Sequence, residues 1–337
     1  MQDAALRFGV IGLNFGRQIV RTLANMEDVE LVALAHPRDD GLPGGLDGYA
    51  AKYGARPYRD GLEMLHKEHL DAVCLCIMPG RRQAILEHAV QHKIALLVEK
   101  PWASDLAQAQ HFVALCRPAT APVMTAFSFR YHPALVKLRE LIQGDMGPVL
   151  TVNGEYIFDW RPGNSVWDAQ GGNGFINENS CHLFDAVMAL TGDPATVATE
   201  AINPFAMPAE HAAALSLRFR NGAVAALTIG GIAPGGFHDT PRLDVVTANG
   251  QARLQGHDHV WQALRWTIRG GAETHSLALP PEQLGQTRYS DGLRHFIACI
   301  RSGKPPQTGP LEGLKSVALA MAVVASARTG QKVEVQW

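Results

Sequence analysis

Cysteine is scarce in this chain: five in 337 residues, at Cys74, Cys76, Cys116, Cys181 and Cys299. An odd count in a chain of this length argues against a disulfide framework, which is a device of short secreted domains. Cys74 and Cys76 stand two apart in an apolar run, which fits one face of a strand better than a metal site. Charge of one sign is lacking too. The 30 Lys+Arg face 32 Asp+Glu, a formal charge of -2, which gives no support for capture of nucleic acid or an anionic membrane. Long apolar runs are missing: the longest, Val317–Ala325, falls well short of the ~18–20 residues of a membrane span. Met1–Arg7 has no basic segment followed by an apolar one, so no signal peptide is expected. These absences predict a soluble protein of a reducing, cytoplasmic compartment.

What is present is ordinary for a folded chain, with 47% hydrophobic and 18% charged residues. At ~150 residues per domain the length predicts about two domains. The 33 Gly and 20 Pro are scattered, which points to many tight turns and to places where backbone closely approaches a ligand.

Up to residue 126 the pattern alternates. Apolar strand-like runs at Leu6–Ile11, Leu31–Ala35, Ala72–Ile77, Ile94–Val98 and Pro122–Ala126 are separated by helical stretches at Phe15–Asn25, Arg82–His92 and Ser104–Cys116. Such alternation predicts a parallel sheet covered on both faces. Beyond it come a helix at Pro133–Ile142, a strand at Val149–Phe158 and one helix at about Gly174–Leu190. Extended runs follow at Ala212–Arg220, Ala223–Ile229, Leu243–Thr247 and His259–Ile268. Asn221-Gly222 and Asn249-Gly250 lie between neighbouring runs, a strong hairpin signal. The second half is therefore expected to be α+β with a largely antiparallel sheet, closed by an Ala-rich helix at Leu311–Arg328. That helix is expected to pack within the protein.

The first strand runs into Gly12-Leu13-Asn14-Phe15-Gly16-Arg17. A dinucleotide site needs glycine here, because the strand turns sharply into a helix whose N-terminus meets the pyrophosphate. Against the pattern G-x-G-x-x-G only Gly12 is in register; Asn14 and Arg17 hold the other two places and Gly16 comes one early. Asn tolerates left-handed backbone, so the turn remains feasible. His36 lies 20 residues beyond Gly16, where an acid would hold the ribose of NAD; Asp39 and Asp40 come later. His36 and Arg38 could instead meet a 2′-phosphate, which favours NADP(H) over NAD(H), or they could be solvated loop residues.

Val98-Glu99-Lys100-Pro101, a strand ending in Glu-Lys-Pro, resembles the Gfo/Idh/MocA oxidoreductases. So do Gly144–Val149, the run Gly171-Gly172-Asn173-Gly174 followed by Glu178, His182 and Asp185, and the ending from Ser302 to Gly330. The resemblance implies an α/β chain: an N-terminal Rossmann domain with a doubly wound parallel sheet, and a C-terminal α+β domain with a largely antiparallel open sheet. On this chain those are residues 1–125 and 126–337, with the C-terminal helix free to pack back on the first. It implies a nicotinamide cofactor held by Gly12, Asn14, Phe15, Gly16, His36, Arg38, Met78, Pro79, Glu99 and Lys100. It also implies a sugar, inositol or related polyol as substrate, and a homodimer or homotetramer formed through the sheet. Lys100 and His182 would flank the reacting carbon. The chain departs from the family pattern at Asn14, Arg17, Gln83, Ser180 and Glu178, where aspartate is usual.

These residues suit the reaction. Oxidising a secondary alcohol requires a base for its proton, and imidazole, with an ordinary pKa near ~6.5, serves at neutral pH. Glu178 precedes His182 by four residues, so on one helix it would orient the ring. Lys100, at a strand's C-terminal end, could stabilise alkoxide character. Asp185, Asn179, Arg130 and Trp167 are candidate substrate residues, with Trp167 as an aromatic wall. His66 with His69, His88 with His92 and His257 with His259 lack a convincing third ligand, so no metal site is expected and solvated faces are the simpler reading. Two other functions fit the same residues: a non-catalytic sensor of nucleotide or sugar, and a hydrolase or lyase in which cofactor redox is transient.

Overall fold

The computed structural model describes residues 4–160, 174–235, 240–271 and 273–337. The first part of the chain runs β1 (Leu6–Ile11), α1 (Gly16–Leu23), β2 (Val29–Ala35), α2 (Gly45–Lys52), β3 (Arg56–Tyr58), α3 (Gly61–Lys67), β4 (Ala72–Leu75), α4 (Gln83–Gln91), β5 (Ala95–Val98), α5 (Leu106–Cys116) and β6 (Val123–Thr125). The six strands form one parallel sheet in the order β3-β2-β1-β4-β5-β6. β4 and β5 are buried along their whole length because helices cover both faces. Ile19, Val20 and Leu23 of α1 and Leu46 and Tyr49 of α2 fill one side. Met64 and Leu65 of α3, Ile85 and Leu86 of α4 and Phe112 of α5 fill the other. The strand order reverses between β1 and β4, which opens a crevice at their C-terminal ends, where ligands bind in such sheets.

The remainder runs α6 (Pro133–Gln143), β7 (Val149–Ile157), α7 (Phe175–Glu178), α8 (Cys181–Thr191), β8 (Pro194–Ile202), β9 (Ala212–Phe219), β10 (Val224–Gly230), β11 (Arg242–Thr247), β12 (Gly250–His257), β13 (Val260–Ile268), β14 (His275–Ala278), α9 (Pro281–Ser302), α10 (Pro310–Thr329) and β15 (Val333–Glu334). Its nine-stranded sheet has the order β14-β13-β12-β11-β7-β10-β9-β8-β15. Only β7 and β10 pair in parallel; every other neighbouring pair is antiparallel. The Asn-Gly turns join β9 to β10 and β11 to β12, as their chemistry predicts. Burial alternates along β9, β10 and β12, so one face is covered and the other open.

Several elements differ from the sequence expectation, among them the strands β8, β12 and β14, which it did not include. The interval from His36 to Asp71 contains α2, β3 and α3, and β3 is only three residues long, too short to register as an apolar run. The helix expected at Gly174–Leu190 is two helices, broken at Asn179-Ser180. And α9, a helix of 22 residues, follows the second sheet unannounced.

The last long helix ties the layers together. α10 is the one described helix long and apolar enough to cross a membrane, yet it is largely buried inside the protein. It contributes Leu314 and Val317 to the core under the parallel sheet and Ala318, Leu319 and Val323 to the core under the second sheet. A Cβ at Gly313 would lie 2.6 Å from Trp102, so α10 rests its backbone on the loop that follows Lys100.

Candidate active site

Where the parallel sheet's C-terminal edge meets the covered side of the second sheet lies a cavity of about 310 Å³. Six segments supply its walls, one of them the start of α1 with Phe15 and Ile19. The strand end brings Glu99 and Lys100; the turn between β6 and α6 brings Ser128, Phe129 and Tyr131. The α7–α8 break brings Glu178, Asn179 and His182, the second sheet Tyr156, Phe158, Trp160 and His259, and α9 Arg288 and Tyr289.

Lys100 is fixed from three directions. Its backbone N–H donates to the Glu99 carboxylate at 2.9 Å. Its Nζ donates to Glu178 Oε1 at 2.9 Å and to the Glu178 carbonyl at 3.1 Å. The peptide bond to Pro101 is cis. Beyond it Arg82, 1% exposed, donates to the carbonyls of Ile77, Pro101 and Trp102, tying the loops after β4 and β5 together. Burial opposes the charge on Lys100, but the Glu178 carboxylate beside it holds the ammonium's pKa above the ordinary value. Burial likewise pushes the Glu99 carboxyl up, to about 7, against the pull of Lys100.

The structure corrects the expected partnership of Glu178. It does not orient His182, because the helix breaks between them: α7 ends at Glu178, and the His182 N–H donates to the Asn179 carbonyl at 3.3 Å. Glu178 turns to Lys100 instead. The His182 ring stacks on Phe129 at 5.0 Å, and its Nδ1 makes no hydrogen bond among the described residues. Burial, reinforced by the Lys100 charge, pulls its pKa well below the ordinary value, so the ring is neutral at pH 7. Glu178 Oε2 and Asn179 Nδ2 are also buried without partners. Three unpaired polar atoms around one cavity are costly unless a ligand with hydroxyls or water satisfies them.

Asp185 and Arg130 are brought together, but away from the cavity wall. The Asp185 carboxylate, fully buried, accepts from Arg130 Nε at 3.0 Å and from Nη2 at 2.5 Å. The expectation that they face substrate is thus corrected: α8 turns Asp185 inward, where it needs the guanidinium as a partner. Trp167, with Asp168, Gly171, Gly172 and Asn173, lies outside the described residues. Trp160 is the tryptophan on the cavity wall.

At the cofactor side, Gly12 has φ +91°, and an added Cβ would lie 2.3 Å from the Cys76 carbonyl oxygen. Only glycine fits there, and the turn leads the chain through Asn14 and Phe15 into α1, whose N-terminus has no side-chain cap and so suits an anion. Met78 and Pro79 follow β4, the neighbour of β1 in this crevice. These residues fit a dinucleotide. His36 does not act as foreseen. It is 5% exposed, and its Nδ1 accepts the Leu13 N–H at 3.2 Å. Burial, then the charge of Arg38, lowers its pKa, so it braces the turn as a neutral ring. Arg38 stays exposed at the end of β2, 3.4 Å from Asp40.

Sequence reasoning missed Tyr156, His259 and Arg288. The Tyr156 hydroxyl hydrogen-bonds His259 Nδ1 at 2.7 Å. Burial, then the charge of Arg288, pulls the His259 pKa down to about 4. His259 is therefore part of the cavity wall and no solvated strand residue. The His66 ring meets His88 across α3 and α4 with centroids 4.6 Å apart, and His88 stacks on His92 at 4.0 Å.

Known proteins share this architecture. The D-apiose dehydrogenase of Paraburkholderia graminis is 28% identical over 336 residues, covering 96% of this chain and 87% of that protein. The myo-inositol 2-dehydrogenase of Thermotoga maritima is 22% identical, covering 98% and 99%. A crystal structure of an oxidoreductase domain protein from Kribbella flavida superposes with a TM-score of 0.88 at 20% identity, covering 99% of this chain and all of that one. Residues 6–127 match the model of an oxidoreductase family's NAD-binding Rossmann fold, and residues 139–335 match that of its C-terminal α/β domain. The chain belongs to the Gfo/Idh/MocA oxidoreductase family.

Proposed function

We propose that this protein is an NAD(P)-dependent dehydrogenase of a sugar or related polyol, with Lys100 and His182 on the reacting carbinol. The observation that carries this reading is the shared cavity of the Lys100–Glu178 pair and the neutral His182 ring, with unpaired buried polar atoms around them. Relatives named as apiose and inositol dehydrogenases support the substrate class.

The bound nicotinamide would supply the hydride acceptor beside Lys100. His182 takes the hydroxyl proton as its neutral imidazole. Lys100, kept protonated by Glu178, donates a hydrogen bond to the same oxygen as negative charge develops. Glu99, Asn179 and the aromatic wall orient the substrate. Arg38, the exposed cation at the end of β2, favours the 2′-phosphate of NADP(H). Residues 1–125 hold the cofactor, and 126–337 hold the substrate and carry a homodimer or homotetramer contact. The open sheet face, with Leu150, Val224 and Val246 exposed, supports that contact. The cytoplasm, where NADP(H) and reduced thiols occur together, is the compartment that fits.

The pH dependence follows from His182. Its lowered pKa keeps the base form down to below pH 6.5, so His182 adds no limb to kcat/KM for alcohol oxidation above that pH; a limb near pH 7 belongs to Glu99 and disappears in Glu99→Gln. Initial rates with one substrate in the wild type and in Glu99→Gln check this; a limb centred above pH 7 that persists in Glu99→Gln would remove His182 as base. The reading itself is tested by a panel of sugars and polyols followed at the absorbance of the reduced cofactor. Turnover of at least one supports it. Nucleotide binding with no turnover points to a sensor.

A further inference from the structure

The chemistry above leaves one charge on the cavity wall without work. Arg288 projects from the middle of α9, partly buried, next to Tyr289, whose ring packs on Phe15 at 5.6 Å. Its guanidinium lies over the Tyr289 ring, 5.3 Å from the centroid, and forms no ion pair with a carboxylate among the described residues. The two acids of the cavity are committed elsewhere, Glu178 to the Lys100 ammonium and Glu99 to the Lys100 amide. Arg288 shares the cavity wall with His182, His259 and Tyr156, and its charge helps keep both histidines neutral. Glu178 balances Lys100, and Glu99, whose carboxyl burial pushes up to about 7, offsets only part of the Arg288 charge, so the cavity wall keeps a fractional positive charge. A cation in a confined, partly desolvated wall is favourable where a ligand brings the opposite charge, and guanidinium suits a planar carboxylate through two parallel N–H···O bonds.

We propose that Arg288 is a specificity-determining residue that binds a carboxylate on the substrate, so that the cavity takes an acidic sugar or polyol, an aldonate or uronate, ahead of its neutral counterpart. This rests on the dehydrogenase reading above. The Tyr156 hydroxyl and His259, on the wall of the same cavity, would hold the hydroxyls next to the carboxylate. The phosphates of a bound cofactor would be the competing anions, and the experiment separates them from a substrate carboxylate.

Matched pairs provide the test: D-glucuronate against D-glucose, and D-gluconate against D-glucitol. Each is assayed with the wild type, Arg288→Lys and Arg288→Gln, and NADH and NADPH dissociation constants are measured by protein fluorescence. The wild type is expected to prefer the acidic member. In Arg288→Gln the ratio of kcat/KM, acidic over neutral, falls about ten- to hundredfold, mostly through KM, and Arg288→Lys recovers part of it. The cofactor constants stay within about twofold. A wild type that prefers the neutral members, an equal loss on both members, or a loss traced to cofactor affinity would each overturn the proposal. If none of the four compounds reduces cofactor while another polyol does, calorimetric titration of the same four into the NADH-loaded protein decides. Tighter binding of the acids that is lost in Arg288→Gln upholds the subsite, and equal binding removes it. Failure of every polyol to turn over counts against the dehydrogenase reading, and the same titration still decides the subsite.

Discussion

Lys100→Met should lower kcat/KM by about 10²–10³-fold, the usual effect of deleting a group that stabilises developing negative charge. The prediction follows from geometry. The ammonium stands at the C-terminal edge of the parallel sheet, held at 2.9 Å by Glu178 and kept charged by it, with one side open to the cavity. Methionine keeps the stem's packing and removes only the charge. Glu178 then loses its partner, but it borders the cavity and has access to water or a proton there. The double variant Lys100→Met/Glu178→Gln should therefore be as inactive as the single one and at least as stable. Steady-state rates beside a fluorescence titration of nucleotide separate the effects: turnover falls, while cofactor affinity changes little. Unimpaired turnover in Lys100→Met would take Lys100 out of the reaction.

The second large effect concerns stability. Asp185→Ala should cost about 3–5 kcal/mol, because it leaves the Arg130 guanidinium buried without its counter-charge. Burial pushes the Asp185 carboxyl up and Arg130 pulls it back, so each partner stays charged through the other. Arg130 joins the turn after β6 to α8 and also donates to the Gln307 carbonyl at 3.4 Å. It thus connects three segments beneath the cavity floor. Urea unfolding measures the loss. The double variant Arg130→Met/Asp185→Leu should recover much of it, since an apolar pair of similar volume satisfies the same site. A stable Asp185→Ala protein with a raised KM would instead put this carboxylate on the substrate.

Much of the fold is legible in the sequence because its signals are local. Short apolar runs alternating with helical stretches give the longer parallel strands, and two Asn-Gly pairs give hairpins. α9 is not legible in the same way, although Tyr289, Leu293, Phe296 and Ile297 fall on one face of a helix at the spacing of its buried stripe. Gly285 and Gly292 interrupt the pattern and dilute its propensity. Without α9, Arg288 has no place in a sequence-based site. Lys100 and His182 are legible through the motifs around them, but their partners are not. Spacing of four residues suggests that Glu178 serves His182; the break at Asn179-Ser180 rotates it toward Lys100, which is 78 residues away in sequence. Position alone makes His36 a cofactor residue, whereas a tertiary hydrogen bond from Leu13 engages its ring. Tyr156 and His259 meet across 103 residues of sequence, a separation no local pattern encodes.

The most direct test of a dehydrogenase built on Lys100 and His182 uses a substrate of the panel deuterated at its carbinol carbon. Incubated with enzyme and oxidised cofactor, it should transfer one deuterium to the nicotinamide ring for each carbonyl product formed, read by mass spectrometry of the released cofactor. Product that retains its deuterium, with the released cofactor unlabelled, would contradict net hydride transfer and favour transient redox.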